Sequence, residues 1–90
     1  MAVTITEFQQ QFYEVEGLRL NIPSKAGELI DVGYAELYTT RLGDDKRVKH
    51  ATQRLVKALP GRNWFIVDGF GRNRHHNNTF LKTLRDTYRT

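Results

Sequence analysis

The stretch Lys46-Arg47-Val48-Lys49-His50-Ala51-Thr52-Gln53-Arg54-Leu55-Val56-Lys57-Ala58-Leu59 runs through Pro60-Gly61-Arg62 into Asn63-Trp64-Phe65-Ile66-Val67-Asp68. Val48, Ala51, Thr52, Leu55, Val56 and Leu59 recur every three or four residues, which predicts an amphipathic helix. Gly43-Asp44-Asp45 ahead of it reads as a turn and N-cap, with the aspartates complementing the positive helix end, and Pro60-Gly61 stops it. Residues 63–68 form a short apolar run between turn signals, the pattern of a central strand. A strong helix followed at once by a buried strand points to a mixed α and β fold.

Working outward, Thr4-Ile5-Thr6-Glu7 matches a capping box, so a helix is expected to start at Thr4. Val3 and Phe8 stand where a hydrophobic staple packs, and Ile5, Phe8, Phe12 and Val15 follow at helical spacing until Gly17. Leu18-Arg19-Leu20-Asn21-Ile22 alternates with period two and is closed by the loop residues Pro23 to Gly27, which predicts a short strand. Residues 28–42 fit both periods: Ile30, Val32, Tyr34 and Tyr38 suit a strand, whereas Tyr34, Leu37, Tyr38 and Leu42 suit a helix. Their Val, Tyr and Thr content and Gly33 favour a strand paired with residues 18–22, bulged or bent at the glycine. Residues 69–77 read as polar loop, and Asn78 is placed to cap a last helix carrying Phe80, Leu81, Leu84 and Tyr88. The expected fold is therefore α+β, one domain over residues 1–90 with a sheet of about three strands covered by three helices, in the order αββαβα. Two strands with four helices is the competing version. There is no internal repeat or low-complexity tract.

The chain has 90 residues, 39% of them hydrophobic, and no cysteine. That is enough apolar content for one modest core, which a homodimer would reinforce. No apolar run approaches a membrane span, and Met1-Ala2-Val3-Thr4 lacks the basic start of a secretory leader, so no membrane association is expected. Without cysteine there is no disulfide framework, cysteine zinc site, iron–sulfur cluster or thiol nucleophile, which fits a cytoplasmic protein.

Charge is distributed unevenly. Residues 1–45 carry three basic and eight acidic side chains, a net of −5, whereas residues 46–90 carry eleven basic and two acidic ones, a net of +9. Such a split suggests one cationic face for a phosphate- or carboxylate-rich partner, unless the two halves neutralise each other internally. Within Lys46–Val67 there is no acid at all, unlike a helix laced by its own ion pairs. Lys46, Arg47, Lys49 and Arg54 on the helix are thus candidate phosphate contacts, with His50 and Lys57 beside them. Arg72 and Arg74 are the others, in the glycine-bearing loop Gly69 to Asn78, where arginines and free helix amides could hold an anion. The bland reading of that loop is a hairpin-like or Asx turn with solvated charges. Trp64 and Phe70 at the ends of the expected central strand, with Tyr34, Tyr38 and Tyr88, are the aromatics placed for base stacking or a protein hot spot. Phe8, Phe12, Phe65 and Phe80 fall on the core periods.

Catalytic patterns are weak. The loop matches neither a Walker A motif nor a dinucleotide fingerprint, so no nucleotide cofactor is expected. His75 and His76 are adjacent rather than at ligand spacing, with His50 the only other imidazole, so no metal is expected. Ser24 is the single serine, and it lacks a nucleophile elbow. The expected function is non-enzymatic binding of nucleic acid, DNA or RNA, through its phosphate backbone. The alternative is a small modulator or inhibitor, of the kind found among phage and mobile-element accessory proteins, that docks its basic and aromatic face on an acidic protein surface.

Overall fold

A computed structural model describes residues 2–25, 27–33, 40–74 and 78–88, the side chain of Arg74 excepted. Five strands and three helices occur among them: β1 (Ala2–Thr4), α1 (Ile5–Glu16), β2 (Arg19–Asn21), β3 (Leu29–Asp31), α2 (Val48–Ala58), β4 (Phe65–Val67), β5 (Asn73–Arg74) and α3 (Leu81–Asp86). The α+β class stands, but the single sheet and the order αββαβα do not. There are two antiparallel sheets, β1-β3 and β2-β4-β5, in the order βαββαββα.

Helix α1 starts where its capping residue predicts. Thr4 is extended (φ −72°, ψ 157°) and its Oγ1 accepts from the Glu7 amide at 3.1 Å, satisfying one orphan donor of the first turn. Gly17 ends the helix in the left-handed region (φ 69°), its amide donating to the Tyr13 carbonyl at 2.8 Å. Ile5, Phe8, Phe12 and Glu16 form its buried face, with the two phenyl rings stacked at 6.4 Å.

The pairing of residues 28–31 differs from expectation. β3 pairs with β1, in the register Ala2↔Asp31, Val3↔Ile30 and Thr4↔Leu29. β2 instead takes β4, through Arg19↔Val67, Leu20↔Ile66 and Asn21↔Phe65. The most apolar strand occupies the centre of its sheet, where both edges are hydrogen-bonded. Gly33 lies beyond the end of β3, where its amide donates to the Ala58 carbonyl at 3.2 Å, so it is not a bulge within the paired strand. Tyr34, Leu37 and Tyr38 lie outside the described residues.

Helix α2 buries Val48, Ala51, Leu55 and Ala58, and Leu59 beyond it is buried too. Val56, expected on that stripe, is 57% exposed. Lys49, Gln53 and Val56, at i, i+4 and i+7, are all exposed and share the outer face. The aspartates do not cap α2. Its N-cap is Arg47, whose amide donates to Nδ1 of His50 at 3.1 Å, and Asp44 is drawn away to Arg85. Nor does Asn78 cap α3: the N-cap there is Phe80. The two helix starts are laced by an antiparallel bridge, Arg47↔Phe80, through Val48 N to Thr79 O and Leu81 N to Lys46 O, each 2.8 Å. Phe80, expected in the core, is consequently 43% exposed. The core gathers Phe8, Phe12, Leu18, Leu20, Ile30, Leu55, Ile66, Leu81 and Leu84 with smaller neighbours, and Trp64 and Tyr88 pack partly against it.

Candidate functional site

Part of the polar loop from Gly69 is the turn of a β4–β5 hairpin, in keeping with its hairpin-like reading, with the register Ile66↔Arg74 and Val67↔Asn73. Asp68, fully buried, organises it as an Asx turn. Its Oδ1 accepts from the amides of Phe70 (2.9 Å) and Arg72 (3.0 Å), and Oδ2 accepts from Arg72 Nε at 3.2 Å. Burial pushes the Asp68 carboxyl up, but these two amides and the Arg72 guanidinium outweigh it and hold it below its ordinary value. Arg72 is thereby fixed at the tip while its side chain stays exposed, with its guanidinium 5.2 Å from the ring centre of Phe70, itself 67% exposed.

At the start of α2, Arg47 donates from Nη1 to the Asn78 carbonyl at 2.6 Å and lies 4.1 Å from the centre of the Phe80 ring. Lys46 and Lys49 flank it, both exposed. Neither lysine makes an ion pair with a described acid. The preceding aspartates are turned aside. Asp44 accepts from Arg85 at 2.7 Å, which holds its carboxyl below the ordinary value, and Asp45 folds back over Gly43, with Oδ1 2.7 Å from where a Cβ would stand. Arg54 points elsewhere, donating to the Thr40 carbonyl.

The six candidate residues therefore separate. Lys46, Arg47 and Lys49 form one cluster, Arg72 belongs to the hairpin, Arg54 to the 40–45 segment, and the side chain of Arg74 lies outside the described residues, as do His75 and His76. No hydrogen bond or ion pair among the described residues joins the hairpin to the α2 cluster. Internal neutralisation between the halves is partial: Arg62 pairs with Glu28 at 2.9 Å and Arg85 with Asp44, whereas Lys82 pairs locally with Asp86 at 3.3 Å.

Phe80 and Arg85 are the residues that sequence reasoning misplaced or passed over. Arg85 is buried, donating from Nε to the Glu16 carbonyl at 2.7 Å, with Nη2 3.9 Å from Glu16 Oε2. Glu16 Oε1 accepts from the Leu42 amide at 2.9 Å, while Oε2 and Arg85 Nη2 are buried without a hydrogen bond. Burial raises the Glu16 carboxyl above its ordinary value despite the Leu42 amide and nearby Arg85, Arg54 and Arg41. Sequence spacing carried the signal: Glu16 stands four residues after Phe12, and Arg85 four after Leu81, both on core stripes.

On α1 and β2, Thr6, Gln9, Gln10, Tyr13, Arg19 and Leu20 line an open groove of about 490 Å³. Gln9 Nε2 donates to the Leu20 carbonyl at 2.9 Å, and Tyr88 Oη bridges the Arg19 amide (2.9 Å) and the Val67 carbonyl. Among the described residues that line the groove, Gln9 and Gln10 supply amides and Arg19 is the one cationic side chain. Among the described residues, no group of three or more His, Cys, Asp or Glu side chains converges as metal ligands would, and no helix is long and apolar enough to cross a membrane. No protein-family model, curated protein or solved structure matches this chain.

Proposed function

We propose that this chain is a non-enzymatic nucleic-acid-binding protein that grips the phosphate backbone through Lys46, Arg47 and Lys49. The observation that carries the reading is that these three cations surround the start of α2 while, among the described residues, neither neighbouring aspartate forms an ion pair with them, Asp44 being taken by Arg85. Arg72 is a further outward-facing cation on the hairpin tip. Phosphate contacts of this kind act through counterion release and are independent of base sequence. Three contacts predict a slope of log K against log salt of about −2.7 for duplex and about −2.1 for a single strand.

The test is fluorescence anisotropy of labelled oligonucleotides at about 50 to 200 mM salt. Joint Lys46→Ala and Lys49→Ala substitution is expected to weaken binding to every sequence and to flatten the slope by about 1.4 to 1.8. Arg47 is left in place because its guanidinium also holds the Asn78 carbonyl. No binding at the lowest salt refutes the reading. In that event the exposed Val56, on the α2 face that also carries Lys49, favours docking on an acidic protein surface, where one truncation would dominate the affinity.

A further inference from the structure

We infer, resting on that phosphate-binding reading, that the preferred ligand is a single-stranded nucleic acid whose unpaired bases stack on two arginine–phenylalanine pairs, Arg47 with Phe80 and Arg72 with Phe70. Both rings are open to solvent, Phe80 at 43% and Phe70 at 67%, and each lies within cation–π range of its arginine. Both exposed rings occur beside cations, the pairing of charge and π face that single-stranded ligands use.

The pairs are also held in place. Arg47 is anchored on the Asn78 carbonyl, and Phe80 by the backbone bridge to Arg47. Arg72 is anchored on Asp68, whose other carboxylate oxygen holds the Phe70 amide. Each arginine side chain is held by its own hydrogen bond and each phenylalanine by its backbone, so a base that stacks on the guanidinium face meets a group already ordered and costs little side-chain entropy there. Lys46 and Lys49, on either side of Arg47, are placed to take the phosphates that flank a base stacked at Phe80. A base inside a duplex already has both faces covered by its neighbours. It gains from these platforms only after unstacking, and this separates the two ligand forms.

The experiment is anisotropy titration of the full chain against a labelled single-stranded DNA of about 20 nucleotides, the RNA of the same sequence, and the corresponding DNA duplex, at matched salt. One or both single strands are expected to bind about tenfold or more tightly than the duplex. Phe80→Ala and Phe70→Ala should each weaken single-strand binding by roughly 5- to 150-fold, the measured range for a stacked base, and leave duplex binding and the salt slope nearly unchanged. Phe80→Leu keeps the apolar bulk without the π face and should lose binding as the alanine variant does. Circular dichroism confirms that each variant is folded. Duplex binding as tight as single-strand binding overturns the inference, and so does full retention by Phe80→Leu or by both alanine variants. If Lys46→Ala with Lys49→Ala still flattens the slope in those cases, the phosphate grip stands without stacking. If none of the three ligands binds at the lowest salt, both readings fall together.

Discussion

Replacing Arg85 by methionine keeps an unbranched apolar stem and removes the guanidinium that joins α1, the 40–45 segment and α3. The lost interactions are the bond to the Glu16 carbonyl, the ion pair with Asp44, and the charge facing Glu16 Oε2 at 3.9 Å. Glu16 is 1% exposed, so its carboxylate is left buried without its nearest cation. Breaking a buried pair in this way costs about 3–5 kcal/mol, about a quarter or more of the roughly 5–13 kcal/mol expected for a domain of this size. At about 4 °C or more per kcal/mol, the midpoint of thermal unfolding falls by at least about 12 °C. The loss also depends on pH. Burial already raises the Glu16 carboxyl above its unfolded value, so its contribution to stability is present at low pH and is lost as pH rises through the folded value. Without Arg85 that rise grows, and Arg85→Met is therefore less destabilising at pH near 5 than near 8. Glu16→Gln in the Arg85→Met background removes the stranded charge and recovers part of the loss, giving a coupling of about 0.5–3 kcal/mol. Urea unfolding followed by circular dichroism at both pH values measures all three variants. A loss below about 1 kcal/mol, equal at the two pH values and additive with Glu16→Gln, would show that water screens this pair and that the reasoning is wrong.

A Cβ on Gly69 would overlap the Thr87 carbonyl, a backbone group that cannot rotate aside. Gly69→Ala is therefore expected to cost about 1–3 kcal/mol in chemical denaturation. Gly71→Ala meets nothing nearby and should show only the roughly 1 kcal/mol penalty of its positive φ of 81°; equal losses at the two glycines would discount the contact. Leu55→Ala empties a fully buried site on α2 and should lose about 2–5 kcal/mol. Its neighbour Val56→Ala should stay within about 0.5 kcal/mol, and a reversed ranking in thermal melts would mean that the helix is rotated from its observed setting. Thr4→Ala should cost about 1 kcal/mol through the lost α1 cap, with Thr4→Ser recovering most of it. Asp44, Asp68 and Glu28 are held below their ordinary values by hydrogen bonds from arginines or amides. The stability they contribute is present above their unfolded values of 3.8, 3.8 and 4.5 and is lost as pH falls through the folded ones. A pH titration of the unfolding midpoint should thus decline below about pH 4, and a flat acid limb would argue against these contacts.

Elements with local signatures were readable from the residues themselves. Thr4 and Gly17 bound α1 because a hydroxyl cap and a left-handed glycine each act within one helical turn. The α2 stripe and the 63–68 run are likewise patterns over adjacent residues. Strand β1 was not readable, since Ala2–Thr4 is too short for a period-two signal and Val3 fits a staple equally well. The caps of α2 and α3 were misassigned to Asp44, Asp45 and Asn78, residues of good capping chemistry. In the structure Arg85 takes Asp44, and the Arg47↔Phe80 bridge satisfies backbone groups at both helix starts. The same bridge turns Phe80 outward against its helical period. The candidate cations were recognisable as a group from their one-signed run, but their separation into an α2 cluster, a hairpin arginine and a carbonyl-bound Arg54 was not.

By itself, the sequence determined the α+β class, the approximate positions of α1 and α2, the strands that lie within 18–22 and 63–68, and the excess of positive charge in the second half. Each of these follows from interactions between residues a few positions apart, or from a simple count. Only the tertiary structure decided which strands pair, which cations remain outward, and which charged groups are buried. Those outcomes depend on contacts between residues tens of positions apart, such as Arg85 with Glu16 or Arg47 with Phe80. Their strength is set by burial and by competing partners, which local spacing does not encode.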